Sequence, residues 1–238
     1  YVSDTPADPC SFQAVTNGIP SSTWGRMEIA IAPSDNNIMY ALTCNAFNQD
    51  FSDLLVSYDK GSSWAPLSPG PDLASPDFDL FGAANPVTGN GQGIYDMAIA
   101  VDPIDPGRMF IAGVQMHRFD GNWTQASTEA FDNSYPSYYV HADKHSIVFD
   151  PNNAQVMYIA TDGGVFKSTD RGNTFFAANR GFRITQYYGI GFNTAGVVIG
   201  GTQDTGTLEI DPRNTPLSND AVQVLGGDGF DCDFSQVT

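Results

Sequence analysis

Hydrophobic and polar residues alternate with a period of two along much of the chain. The runs Met27–Ile31 (MEIAI) and Val156–Ala160 (VMYIA) are examples, and Asp-Pro, Asn-Asn, Gly-Gly and Asp-Gly pairs interrupt such runs at short intervals. A period of two is that of a β-strand with one buried face, and the interrupting pairs are turn formers. The pattern therefore predicts an all-β protein without a strong helix.

Two stretches, residues 93–125 and 141–176, follow one plan. Each contains an apolar strand ending in Asp-Pro, a tight turn, a second apolar strand, a Gly-containing turn, a shorter third strand and a turn into an aromatic fourth strand. A four-stranded unit that recurs about every 40–50 residues is typical of a β-propeller. A β-sandwich also has short strands and frequent turns, but it does not predict units that resemble one another.

The same plan, with looser spacing, divides the rest of the chain. We predict an N-terminal extension over residues 1–25 and propeller blades over residues 26–238, with a Pro-, Gly- and Asp-rich loop insertion at about 68–91. Four units and the start of a fifth are fewer than an ordinary ring has, so we predict an incomplete ring, completed by further residues of the same polypeptide or by another chain. The predicted blades span about 26–67, 93–126, 140–178 and 186–225, and a further blade starts at 229.

The acidic composition excludes nucleic-acid binding and membrane insertion from the predicted functions. The formal net charge is -17, and the acid comprises 24 Asp and only 3 Glu. Such a chain lacks the basic stripe of a nucleic-acid binder and is repelled by anionic membrane surfaces, and no apolar run predicts membrane insertion. Asp favours turns whereas Glu favours helices, which agrees with a turn-rich β protein. Composition and repeats together predict a secreted or cell-surface protein, and Cys10, Cys44 and Cys232 allow at most one disulfide with one thiol left over.

Two turns between third and fourth strands share the pattern S-x-D-x-G-x-x-W/F, the Asp-box. In this pattern a short Asp accepts hydrogen bonds from its own turn, the Gly permits a positive φ, and the final aromatic packs between blades. We therefore interpret these aspartates as structural rather than catalytic. The residues are Ser57, Asp59, Gly61 and Trp64 in the first box and Ser168, Asp170, Gly172 and Phe175 in the second.

With these boxes the chain resembles the Asp-box (BNR-repeat) propellers, and most closely the sortilin-like modules of large secreted proteins from Bacteroidetes-type bacteria. It resembles xyloglucan-specific glycoside hydrolase propellers more distantly. The resemblance implies a propeller fold and an extracellular location, and most such modules have no assigned activity. It rests on Gly91–Asp96, Val140–His145, Thr161–Gly164, Thr202–Thr207 and Gly226–Gly229, besides the two boxes.

Propeller topology places the Asp-Pro turns and the Asp-boxes on one face and the other prominent acids on the opposite face. Taken singly, each of these acids is also an ordinary turn former. Together they could line a funnel that binds a glycan or protein ligand, or Ca²⁺, which takes oxygen ligands. No other cofactor is predicted. The candidate ligand-binding residues are Asp96, His141, Asp143 and His145, with Tyr138 and Tyr139 as stacking platforms for sugars.

Zinc is not predicted, because two histidines four residues apart on an extended strand lie up to about 13 Å from each other. A glycosidase is the alternative to a non-catalytic module. The stretch Ile159–Phe166 is similar to the strand and turn that bear the catalytic base of the xyloglucan-specific enzymes, with Asp162 at the matching position. Those enzymes carry the partner acid in a second propeller, and Asp204 or Asp228 would have to replace it here. We therefore expect a non-catalytic scaffold or binding module, with glycoside hydrolysis through Asp162 as the alternative.

Overall fold

The computed structural model describes residues 13–20, 23–73, 78–82, 90–129, 136–180, 185–213 and 221–234. Cys10, most of the predicted N-terminal extension and part of the loop insertion lie outside these residues. The chain divides into two compact units, Tyr1–Asn179 and Arg180–Thr238. Within the described residues, no helix has the length and apolar character that crossing a membrane requires.

The first unit contains three antiparallel sheets of four strands each, and in every sheet the strands pair in chain order. The first strands of the three sheets are neighbours, since β1 contacts β5 and β5 contacts β9. The first sheet comprises β1 (Trp24–Ile31), β2 (Met39–Asn45), β3 (Phe51–Ser57) and β4 (Ala65–Pro66). The second comprises β5 (Ala98–Val101), β6 (Met109–Ala112), β7 (Met116–Phe119) and β8 (Trp123–Ser127), and the third β9 (Lys144–Asp150), β10 (Asn153–Thr161), β11 (Gly164–Ser168) and β12 (Phe176–Ala177).

The second unit contains one further sheet with the same strand order, made of β13 (Tyr187–Phe192), β14 (Val198–Thr202), β15 (Thr207–Ile210) and β16 (Val222–Leu225). Residues 229–234, where the repeat predicts the start of a further blade, form no strand. Instead, the backbone N–H of Gly229 donates to Thr202 O at 2.6 Å. The four meanders confirm the all-β prediction and make the chain a series of β-propeller blades.

Two apolar cores lie between the three blades of the first unit, one at each interface. Leu42, Leu54 and Val56 of blade 1 pack against Met109 and Ile111 of blade 2 in the first core. In the second core, blade 2 packs on blade 3 through fully buried side chains, among them Phe110, Met157 and Ile159. Each core thus stabilises an interface between blades, which is where a propeller buries its apolar surface.

The two Asp-box turns have nearly the same hydrogen bonds. In the first, Gly61 N donates to Ser57 Oγ at 2.8 Å, and Ser63 donates to Asp59 through its backbone N and its Oγ, at 2.8 and 2.6 Å. In the second, Gly172 N donates to Ser168 Oγ at 2.8 Å, and Thr174 donates to Asp170 at 2.9 and 2.6 Å. The bonds from Ser63 and Ser57 lower the pKa of Asp59. Burial opposes ionisation of Asp170, but the bonds from Thr174 and Ser168 outweigh it and lower that pKa too.

The two boxes differ in what surrounds them. Phe175 is 2% exposed and belongs to the core between blades 2 and 3, whereas Trp64 lines a groove on the outer side of blade 1. Gly172 has φ +77°, and a Cβ there would lie 2.7 Å from Phe110 Cζ and 2.8 Å from Met157 Sδ. Gly61 has φ +81°, but a Cβ there would come no closer than 3.4 Å to Met39 Sδ.

This difference gives a matched pair of substitutions. Gly172→Ala and Gly61→Ala both force alanine into a left-handed conformation, but only Gly172→Ala also overpacks a core. We expect Gly172→Ala to lower the free energy of unfolding by about 1–3 kcal/mol more than Gly61→Ala. Urea unfolding of both variants measures the difference, and equal losses would contradict the close packing of Phe110 on this turn.

Candidate functional site

Residues from blades 2 and 3 meet where the chain enters the first strands of these blades. Blade 2 contributes Gln92, Tyr95 and Asp96, which precede β5. Blade 3 contributes Asp143, Lys144 and His145 at the start of β9, and Asp162 from the turn between β10 and β11. Because β5 and β9 are neighbours, these side chains come together. We call these seven residues the acidic cluster.

Hydrogen bonds join the two blades through the acidic cluster. The amide of Gln92 donates to Asp96 Oδ2 at 3.2 Å and also to Asp143 Oδ1. The hydroxyl of Tyr95 donates to Asp162 Oδ2 at 2.8 Å, across the blade interface. His145 Nε2 bonds to the other oxygen, Asp162 Oδ1, at 2.7 Å. Both oxygens of Asp162 are therefore occupied by side chains of the protein.

Asp96 is the most deeply placed acid of the acidic cluster. Its residue is 0% exposed, and its Oδ1 has no hydrogen-bond partner among the described residues. The pKa of Asp96 is raised to about 8, chiefly by burial and also by the neighbouring Asp143, against the bond from Gln92. Asp96 is consequently protonated for the most part at neutral pH. Burial, and then the proximity of Asp162, also raises the pKa of Asp143 above its ordinary value.

Lys144 lies beneath these carboxylates, and it is not among the site residues predicted from the sequence. The residue is 0% exposed, and its Nζ donates to Val114 O at 2.6 Å. Burial lowers the pKa of Lys144 to about 8, while Glu129, Asp143 and Asp96 oppose the shift. A signal was present: a lysine at the start of the apolar strand β9, in a chain with three lysines in all. A buried ammonium group needs acidic neighbours, which explains its place in the acidic cluster.

The other predicted residues of this rim make contacts of their own. The Nδ1 of His141 pairs with Ala142 O at 3.1 Å, and its ring packs so closely on Gly163 that a Cβ there would lie 2.4 Å from it. Tyr139 stacks edge-on against Phe166 in the core between blades, with ring centroids 5.6 Å apart. Tyr138, in a 3-10 turn, is 47% exposed. Of the two predicted stacking platforms, Tyr138 is the more exposed.

Asp204 and Asp228 belong to the second unit. Asp204 has φ +64°, and its backbone N donates to Asp228 Oδ1 at 2.9 Å. This is the bond of an aspartate that fixes a turn. In the first unit the carboxylates of Asp143 and Asp162 approach within 4.8 Å. Carboxylates are among the oxygen ligands that Ca²⁺ takes, and Ca²⁺ binding stays a prediction of the sequence.

Comparison with known proteins gives similarity in structure alone. No protein-family model matches the chain, and no curated protein gives a significant match. The chain is similar to the GH74 enzyme of Niastella koreensis, with a TM-score of 0.48 and 18% identity, over 85% of this chain and 30% of that one. It is also similar to the GH74 xyloglucanase of Xanthomonas campestris, with a TM-score of 0.42 and 16% identity, over 78% of this chain and 29% of that one.

A third similar structure is the extracellular domain of a hybrid two-component system protein from Bacteroides thetaiotaomicron, with a TM-score of 0.46 and 12% identity. It is matched over 91% of this chain and 27% of that one. The chain thus spans less than a third of each of these proteins. The fold assignment rests on the sheets and interblade contacts of the chain itself, and no activity follows from similarity at this level.

Proposed function

We propose that the chain is a non-catalytic β-propeller module of a secreted or cell-surface protein that binds a protein or a glycan. The main support is that the carboxylates of the acidic cluster accept hydrogen bonds from side chains of the protein itself. Tyr95 and His145 occupy both oxygens of Asp162, and Gln92 bridges Asp96 and Asp143. These bonds hold blade 2 on blade 3, which is a structural task.

Glycoside hydrolysis requires two carboxyl groups that face the sugar, one as acid and one as base or nucleophile. Asp96 has the raised pKa of a general acid, but it is 0% exposed and cannot reach a substrate. Asp162 would have to activate a water molecule while it accepts hydrogen bonds from Tyr95 and His145. The geometry therefore favours the scaffold over the enzyme.

Next to the acidic cluster, the surface has the character of a binding site. Tyr95 is 56% exposed although its hydroxyl is bound to Asp162, and Ile94 beside it is 47% exposed. Arg26 of blade 1 fixes this segment by donating to the carbonyls of Ile94 and Tyr95 at 3.2 and 3.0 Å. An aromatic ring whose position is already fixed, such as that of Tyr95, can stack on a sugar or pack on an apolar side chain at low entropic cost.

The replacement Asp162→Asn distinguishes the non-catalytic module from the glycosidase. We expect the native chain to release no reducing sugar from xyloglucan or mixed-linkage β-glucan. We expect Asp162→Asn to lower the free energy of unfolding by about 1–2 kcal/mol, because an amide can accept only one of the two hydrogen bonds. A reducing-sugar assay and urea unfolding measure these effects.

Asp150→Asn is the matched control, since this aspartate of the same blade accepts a turn bond from Asn152 N, at 2.8 Å, and no other side-chain bond within the described part of the chain. An asparagine can accept that bond as well, so its effect should stay below about 0.5 kcal/mol. Sugar release by the native chain that disappears in Asp162→Asn would overturn the proposal in favour of the glycosidase.

A further inference from the structure

The sheet face of blade 1 that points away from blade 2 is apolar and partly exposed to solvent. Met27, Ile29 and Ile31 of β1 point to this side and are 38%, 50% and 52% exposed. The register places Met39 and Ala41 of β2 opposite Ile31 and Ile29, hence on the same face. A groove of about 170 Å³ continues this face, lined by Val15, Ile19, Trp24 and Trp64 among others. We call these residues the open face.

Inside the first unit, the equivalent positions are covered by the preceding blade. Met97, Ile99 and Val101 of blade 2 lie in the core shared with blade 1, whereas Ala98 and Ala100 face blade 3. The segments MEIAI (27–31) and MAIAV (97–101) carry large apolar residues at the same alternate positions. Met27, Ile29 and Ile31 therefore correspond to side chains that, one blade later, pack on a preceding sheet.

The two Asp-boxes also correspond in charge, because each carries a basic residue at the same position. Arg171 of the second box has φ +59°, and its Nε and Nη2 donate to Asp102 Oδ2 of the preceding blade at 2.9 and 2.7 Å. Lys60 occupies the same position of the first box, with φ +57°, and it lines the groove of the open face. Among the described residues no ion pair involves Lys60. Lys60 is thus placed to pair with an aspartate of a preceding blade.

We propose that the open face docks a further propeller blade of the same polypeptide, and that this blade has a defined chemistry. It is a four-stranded antiparallel sheet whose first strand carries Ala, Gly or Ser at alternate positions, as Ala98 and Ala100 do in blade 2. Its first hairpin turn carries an aspartate that pairs with Lys60, as Asp102 pairs with Arg171. The docked blade reproduces the interface that blade 2 makes with blade 3.

The size of the open face favours a blade of the same polypeptide over a separate protein. A strand of 8 residues is about 26 Å long, and three strands are about 14 Å wide, so the face covers roughly 400 Å². A stable interface between separate proteins buries about 800 Å² on each partner. A covalently linked blade needs less area, because linkage raises its effective concentration to the millimolar range.

Zero-length cross-linking tests the docking and its source together. The polypeptide is isolated from its source with an antibody against this chain, treated with a carbodiimide that joins amines to carboxylates, and digested for peptide mass spectrometry. We expect Lys60 to be joined to an aspartate in a turn that follows a strand with alternating small residues, within the same polypeptide. The denaturing mass should exceed 25.6 kDa by at least one blade of about 40–50 residues.

Lys60→Arg is the matched control, because it keeps the charge at an exposed position and removes the reactive amine. It should abolish this cross-link and leave the cross-links of the other lysines unchanged. A cross-link from Lys60 to a different polypeptide, a denaturing mass of 25.6 kDa, or no cross-link from Lys60 would each overturn the proposal. The proposal goes beyond the proposed function, and sugar release in the hydrolase assay would leave it standing.

Discussion

Replacing Asp102 with alanine is expected to lower the free energy of unfolding by roughly 3–5 kcal/mol. Asp102 is 0% exposed and lies in the first hairpin turn of blade 2. Its Oδ2 accepts both bonds from Arg171 of blade 3, and its Oδ1 accepts the backbone N–H groups of Ile104 and Asp105 at 3.0 and 3.2 Å. Alanine removes the turn acceptor and leaves the guanidinium of Arg171 without its partner at the blade interface.

Two further variants separate the causes of this loss. Asp102→Asn keeps an acceptor for the turn but removes the charge, so it should cost less than Asp102→Ala. Asp120→Asn removes a more exposed partner, which pairs with Arg118 at 3.1 Å, and should cost no more than about 1 kcal/mol. Urea unfolding followed by tryptophan fluorescence measures all three. A loss below 1 kcal/mol for Asp102→Ala would contradict an essential role of this ion pair.

Raising the pH from 6.5 to 8 is expected to destabilise the protein through Asp96. The pKa of Asp96 is about 8 in the folded chain and 3.8 for an ordinary Asp, so between these values the folded chain holds a proton that the unfolded chain has released. The free energy of unfolding therefore falls with rising pH, by up to about 1.4 kcal/mol per pH unit from this group. Between about pH 4 and 6.5 the buried His117 opposes this effect, because burial lowers its pKa to about 4 and the unfolded chain then holds the extra proton. Asp59, Asp170 and Asp211 have lowered pKa values and act in the opposite direction below about pH 4.

The variant Asp96→Asn tests the origin of this dependence. Asparagine is neutral at every pH, so we expect the variant to lose most of the slope between pH 6.5 and 8, while Asp120→Asn keeps it. Above pH 8 the lowered pKa of Lys144 should let the stability of the native chain recover, because the unfolded chain then holds the extra proton. Urea unfolding at several pH values between 6.5 and 8 gives the slopes, and identical slopes for native chain and Asp96→Asn would contradict an uncharged Asp96.

The sheets could be predicted from the sequence because their determinants are local. The period-two runs and the Asp-Pro and Asp-Gly turns define each meander without reference to other blades, and four four-stranded sheets are observed. The internal bonds of the Asp-boxes are equally local, since Ser57, Asp59 and Ser63 lie within seven residues of one another.

The contacts between blades could not be predicted in the same way. The pairing of Arg171 with Asp102 joins residues 69 positions apart, and that of Tyr95 with Asp162 joins residues 67 positions apart. Topology places such residues on one face of the propeller, but it does not specify which donor meets which acceptor. For the same reason the sequence indicated a group of acids near Asp143 and did not indicate Lys144 below it or Gln92 between the carboxylates.

The alternation of large and small residues on β5 gives blade 2 two different sides. Met97 and Ile99 pack on blade 1, and Ala98 and Ala100 face blade 3. Blade 2 therefore fits between its neighbours in one orientation only, because turning it over would place the small residues against blade 1 and the large ones against blade 3.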